Sequence, residues 1–123
     1  MANKVYSFGR MKVKDFNDYK KRYGLPFLDV LAKYNGKLLA ATENGVTVEG
    51  VEDGNWTVLI EFSSGKDAFD FYASEEYAPL KKLRLEELTE GAMAISFPAE
   101  LTKKKKKIVH YIFLLLFSFC ANA

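Results

Sequence analysis

Four strand-forming runs and two helical regions, each helix opened by a capping-box pair, predict an α+β domain. Their order, βαββαβ, is the split-βαβ or ferredoxin-like arrangement, in which both helices cover one face of a four-stranded antiparallel sheet. Three observations carry the prediction. Val5–Val13 and Trp56–Phe62 are rich in β-branched and aromatic residues. Aromatic residues recur at helical spacing after Asp15 and again after Ser64. A chain of 123 residues holds one such domain and has no room for a second.

Val5–Val13 is the first strand. Asp15 and Asp18 fit the N-cap and N3 positions of the first helix, whose inner face carries Phe16, Tyr19 and Tyr23. Gly24 and Pro26 are expected to interrupt that helix, with a second segment from Phe27 to Tyr34 continuing the apolar face through Leu28 and Leu31, and Asn35-Gly36 ending it. Lys37–Thr42 forms the second strand, extended by Val46–Gly50 past a bulge at Asn44-Gly45, and Asp53–Asn55 turns the chain. Trp56–Phe62 is the third strand. Ser64 and Asp67 cap a helix carrying Ala68, Phe69, Phe71 and Tyr72, a further turn or short helix runs through Tyr77, Leu80 and Arg84, and Ala92–Phe97 closes the sheet.

The strands are apolar on both sides. Tyr6 and Phe8 alternate with Val5, Met11 and Val13, and Leu59 lies between Val58 and Ile60. Strands with two apolar faces imply burial on both, and two helices cover only one. The remaining cover is another copy of the chain, so a homodimer packed sheet to sheet is expected.

Charge and rare residues narrow the chemistry. The first hundred residues hold 13 Lys and Arg against 16 Asp and Glu, a net of −3, which argues against nucleic acid as a partner. His110 and Cys120 are the sole residues of their kinds and fall within the last sixteen. The body therefore has no disulfide, thiol nucleophile or histidine ligand, and neither a metal nor another cofactor is expected. Acid–base work falls to Asp, Glu, Tyr, Lys and Arg. Nor does the chain contain a glycine-rich phosphate loop, a nucleotide fingerprint or a Ser-His-Asp set.

Composition divides the chain into a domain over 1–100 and a Lys-rich apolar tail over 101–123. The tail runs from five lysines through IVHYIFLLLFSF to CANA, the order of a secretory signal peptide placed at the wrong end. Three readings stand: another reading frame's signal peptide joined to this domain, a short tail anchor or membrane-surface helix, or an extra helix packing on the body. As a helix, 108–121 would span about 21 Å, short of the roughly 30 Å of bilayer hydrocarbon. A membrane is thus a partner only if the tail is genuine. The start, MANKVYSF, shows no targeting signal, and the body is expected to be cytoplasmic.

Val48-Glu49-Gly50, Ile60-Glu61-Phe62-Ser63-Ser64, Ala68, Phe71-Tyr72, Ser74, Tyr77 and Arg84 follow one another in a pattern that resembles the domain-of-unknown-function 1330 family of the dimeric alpha–beta barrel superfamily. The resemblance spans about Lys4 to Phe97. Ser63 departs from the family's usual proline and Asn35 from a frequent glycine, and the tail has no counterpart. The resemblance implies a homodimer whose two sheets enclose a barrel-like space, and kinship with cofactor-independent monooxygenases and small-molecule binding proteins. It implies no agreed activity.

Candidate catalytic residues are Glu61, Tyr77 and Arg84. Tyr77 and Arg84 share a face if their segment is helical, which Pro79 puts in question; Arg84 would then hold a carboxylate or enolate, with Tyr77 donating a hydrogen bond. The plainer reading pairs Arg84 with Glu75, Glu76 or a partner-chain carboxylate. Candidate binding residues are Arg10, Glu49 and Trp56. Glu61 and Arg10 are expected between the sheets, as an ion pair or the charged floor of a pocket; Glu49 reads equally as an exposed turn residue and Trp56 as packing. Tyr19, Tyr23, Phe69 and Tyr72 are assigned to core or interface. The function expected is binding of a small anionic or carbonyl-bearing molecule, with or without weak catalysis; a filled structural or regulatory dimer and a membrane-tethered module are the alternatives.

Overall fold

The computed structural model describes residues 3–51 and 54–102. Asp53, assigned above to a turn, and the tail from 103 onward lie outside them. β1 (Val5–Val13) leads into α1 (Phe16–Tyr19), which continues through a π-helical turn (Lys20–Gly24) into α2 (Leu25–Lys33). β2 (Gly36–Thr42) and β3 (Trp56–Phe62) follow, then α3 (Gly65–Ala73), α4 (Ala78–Leu83), a second π-helical turn (Arg84–Leu88) and β4 (Thr89–Pro98). The strands lie in the order β2-β3-β1-β4 with every neighbouring pair antiparallel, the ferredoxin-like topology.

Both helix starts form as their sequences dictate. Asp18 N–H donates to Asp15 Oδ1 at 3.0 Å and Asp67 N–H to Ser64 Oγ at 3.1 Å, each satisfying a donor that the first turn leaves free. The helix end is also local: Asn35 takes a left-handed φ of 56°, which asparagine tolerates. Gly36 follows because a Cβ there would overlap the Leu31 side chain and come within 3.0 Å of the Phe62 ring.

Three expectations need correction. Gly24 and Pro26 do not break the first helix. Pro26 has no N–H to give a carbonyl one turn back, and the chain widens just before it, Leu25 N–H reaching Lys20 O, so the helix changes pitch and carries on. Val46–Gly50 forms no strand; Val46 and Val48 are exposed, and the irregularity in β2 lies between Leu38 and Ala40 instead. β4 is longer than expected because Thr89 and Glu90 pair with Val13 and Lys12.

The two sheet faces differ. Val5, Ser7, Gly9, Met11 and Val13 of β1, with Trp56, Val58, Ile60 and Phe62 of β3, turn toward the helices. Phe62 and Phe71 are wholly buried there among Phe27, Tyr72 and Tyr77. The opposite face carries Tyr6, Phe8, Leu59, Met93, Ile95 and Phe97, in register across β3, β1 and β4. Among the described residues no helix covers it, and Ile95 is 55% and Phe97 41% exposed.

Candidate functional site

The sheet creates a cavity by what it lacks. In mid-sheet β1 offers Ser7 and Gly9 to the helices, and their β4 neighbours are Ser96 and Ala94. These small side chains cannot meet the helix aromatics, and a cavity of about 390 Å³ remains between the layers, within the range of small-molecule sites. Its walls are mostly apolar and aromatic: Met11, Phe16, Tyr19, Tyr23, Phe27 and Trp56 contribute. The exposed lining residues Asn17, Lys20, Leu25, Leu28 and Glu43 mark its mouth.

The two π-helical turns bring the polar groups to this cavity. The first carries Tyr23 and the second opens on Arg84, and such turns recur at functional sites. Pro79 sits in the first turn of α4, where proline costs nothing, so α4 forms and Tyr77 at its start is brought to Tyr23. The Tyr23 and Tyr77 hydroxyls share a hydrogen bond of 2.9 Å in the buried interior. The Arg84 guanidinium lies 5.8 Å from the Tyr23 ring centre, a cation–π contact. Thr89 donates to Arg84 O twice, through its backbone N–H and through Oγ1 at 2.8 Å, which closes the wide turn.

Arg84 is 7% exposed, yet among the described residues no carboxylate pairs with it. Glu76 is held by Lys33 at 2.6 Å instead. Burial works against the guanidinium charge, and Tyr77 and Tyr23 outweigh it, keeping the Arg84 pKa above its ordinary value. Phenols ionise only near pH ~10, so at neutral pH these neighbours offer dipoles and no countercharge. Burial raises Tyr19 to about 12 and Tyr23 well above its ordinary value. Tyr72 is raised as well, chiefly by burial and less by Tyr77, while Ser7 and Ser96, themselves joined at 2.6 Å, pull the other way. These phenols are held as neutral donors.

The structure brings Tyr77, Arg84 and Trp56 to one cavity and leaves the other candidates elsewhere. Glu61 lies on the helix-free face, bonded to Lys4 at 2.9 Å, with the sheet between it and Tyr77. Arg10 shares that face but is not Glu61's partner: it donates to Thr57 Oγ1 and to Gly54 O. β1 is extended, and Tyr6 and Arg10, which pair with Glu61 and Thr57, stand four positions apart along it. Glu49 is exposed. Tyr23, assigned above to packing, is the polar group that sequence reasoning missed. Its one local signal is its place just before Gly24-Leu25-Pro26, where the proline forces the wide turn. Among the described residues no three His, Cys, Asp or Glu side chains cluster as a metal site, and no helix is long and apolar enough to cross a membrane.

Fold and cavity define a ferredoxin-like α+β domain with an aromatic pocket between helices and sheet. Residues 4–96 match the family described as Domain of unknown function (DUF1330), and the chain belongs to it. Its fold is that of a protein of unknown function from Rhodopseudomonas palustris, 12% identical, with a TM-score of 0.67 over 83% of this chain and 86% of that one. A putative antibiotic biosynthesis monooxygenase from Caulobacter crescentus is 13% identical, with a TM-score of 0.53 over 81% and 92%. A mutant form of SnoaB, a cofactor-independent oxygenase from Streptomyces nogalater, is 16% identical, with a TM-score of 0.50 over 82% and 97%. No curated protein matches the chain.

Proposed function

We propose that each protomer binds a small anionic or carbonyl-bearing molecule in the cavity between its helices and sheet, and that two protomers associate through their helix-free sheet faces. One observation carries the binding reading: a buried guanidinium that opens onto a cavity without a countercharge from any described residue. An uncompensated buried charge is costly. A ligand carboxylate or enolate supplies the missing charge, with Tyr77 or Tyr23 giving a second hydrogen bond.

The same donors would stabilise negative charge developing on a ligand carbonyl oxygen, in keeping with the cofactor-independent oxygenase whose fold the chain shares. Of the lining residues Glu43 alone is a carboxylate, and it lies at the exposed mouth, so binding is the primary role proposed. Tyr6, Phe8, Ile95 and Phe97 supply the apolar surface for the second copy. A pocket of this size favours the binding reading over a filled structural dimer. Native mass spectrometry of the protein purified without denaturant tests both parts. The expected result is a dimer with retained small-molecule mass that is lost in Arg84→Gln. Retention unchanged in that variant would remove Arg84 from the role, and a monomer would overturn the sheet-to-sheet reading.

A further inference from the structure

The cavity has a second hydrogen-bonding wall. Trp56 is the single tryptophan of the chain, and its side chain turns toward the helices, where Phe16 meets it edge-on at 5.3 Å and Tyr19 at 6.1 Å between ring centres. Its indole N–H is buried and is the one such side-chain atom among the described residues with no hydrogen-bond partner. The Tyr19 hydroxyl lies near enough to feel the indole, but it donates to Met11 Sδ at 3.9 Å and stays outside hydrogen-bonding geometry with Trp56. Burying an N–H unpaired is unfavourable, and the great majority of buried polar groups find a partner. Trp56 is among the residues that line the cavity.

From Trp56 the wall continues through Tyr19 to Tyr23, their ring centres 5.1 Å apart, and so to Arg84 over the Tyr23 face. The cavity lining thus runs from the Arg84 cation over Tyr23, through the Tyr19 ring, to the unpaired indole N–H of Trp56. Resting on the binding role proposed above, we infer that the ligand is a largely apolar, ring-bearing organic acid with a second, uncharged acceptor such as a ketone. Its acid group meets Arg84 and its distal acceptor takes the Trp56 N–H. A plain hydrocarbon acid leaves the N–H unpaired.

Two probe acids of the same skeleton separate the terms: phenylbutanoate, and its para-acetyl derivative, which adds a distal carbonyl. Titration calorimetry gives both affinities, and emission of the lone tryptophan reports the site directly. The expected result is that the acetyl acid binds roughly five- to tenfold tighter, the value of one recovered hydrogen bond, and shifts Trp56 emission to the red. Trp56→Phe keeps the ring and removes the N–H; it should erase that preference while both acids still bind. Arg84→Gln should weaken both acids alike. Equal affinity of the two acids for the unaltered protein, or a preference that survives in Trp56→Phe, overturns the assignment of Trp56 and leaves the Arg84 reading standing. Two acids bound as tightly by Arg84→Gln as by the unaltered protein, or bound by neither, overturn the Arg84 reading and this inference with it.

Discussion

The two faces of the sheet start from similar apolar sequences and end in different physical states. On the covered face, Phe62 and Phe71 are wholly buried among the helix aromatics, and a large space beside them is bounded by buried hydroxyls and a guanidinium. The uncovered face has comparable side chains, Phe8, Ile95 and Phe97, which stand beside one another along the strands with no helix of the described residues over them. Hydrophobic pattern alone therefore says that a surface will be covered, and it does not say by what. Polar residues make the distinction: the covered face holds donors aimed into an interior, while Glu61 and Arg10 on the uncovered face find partners within reach of solvent.

The contrast is easiest to break at Phe71, whose ring contacts Phe27, Tyr34, Phe62, Tyr72 and Tyr77. Phe71→Ala should cost about 3–5 kcal/mol, read from urea unfolding, because the cavity it leaves cannot collapse against a sheet. Alkali should act next, on the covered face. The Tyr19 pKa of about 12 exceeds the value near 10 of an unfolded phenol. The folded state thus holds the proton more tightly, and this contribution is complete below pH ~10 and lost as pH rises toward ~12. The loss amounts to about 3 kcal/mol. Phenolate absorbance followed alongside circular dichroism checks it, and titration of Tyr19 near pH ~10 without loss of structure would contradict it.

Arg84→Met sharpens the comparison in the opposite direction. It removes a buried charge that no described carboxylate compensates, and the ligand-free protein should become more stable by about 1 kcal/mol while losing affinity for acids. A destabilised variant would show that Arg84 serves the fold. The smallest effect on a dilute protomer belongs to the uncovered face: Ile95→Ser should cost less than about 0.5 kcal/mol there. The same change should abolish the proposed dimer in sedimentation experiments at concentrations where the unaltered chain associates.

Much of the fold was legible because its signals are local. The capping residues Asp15 and Ser64, the turn at Asn35-Gly36 and the run Trp56–Phe62 each act within a few positions, and each forms as its residues dictate. The site was legible only in part. Tyr77 and Arg84 could be placed on one face by counting, but Tyr23 joins them from 54 positions away from Tyr77, through a helix register that no spacing rule reports. Period-two alternation put Glu61 on the correct side of β3 and could not say that the cavity lies on the other side. The cavity arises from Ser7, Gly9 and Ala94, residues conspicuous for being small, whose effect depends on which neighbours the sheet pairing brings beside them.

The wide turn at Lys20–Gly24 also sets the kind of sequence change this helix can absorb. Tyr19, Tyr23, Phe27 and Leu31 follow one another at steps of four and are all buried. In an unbroken α-helix each such step overshoots a full turn by about 40°, and the stripe would wind off the sheet. The extra residue lodged in the π turn takes back part of that drift, so the helix is phased by chain length as well as by composition. Deleting Lys20, Lys21 or Arg22 would leave every core side chain present and swing those beyond it by about 100°. For this helix, insertions and deletions within the turn are the changes that lineages are expected to avoid, and point substitutions at its exposed lysines the ones they can accumulate.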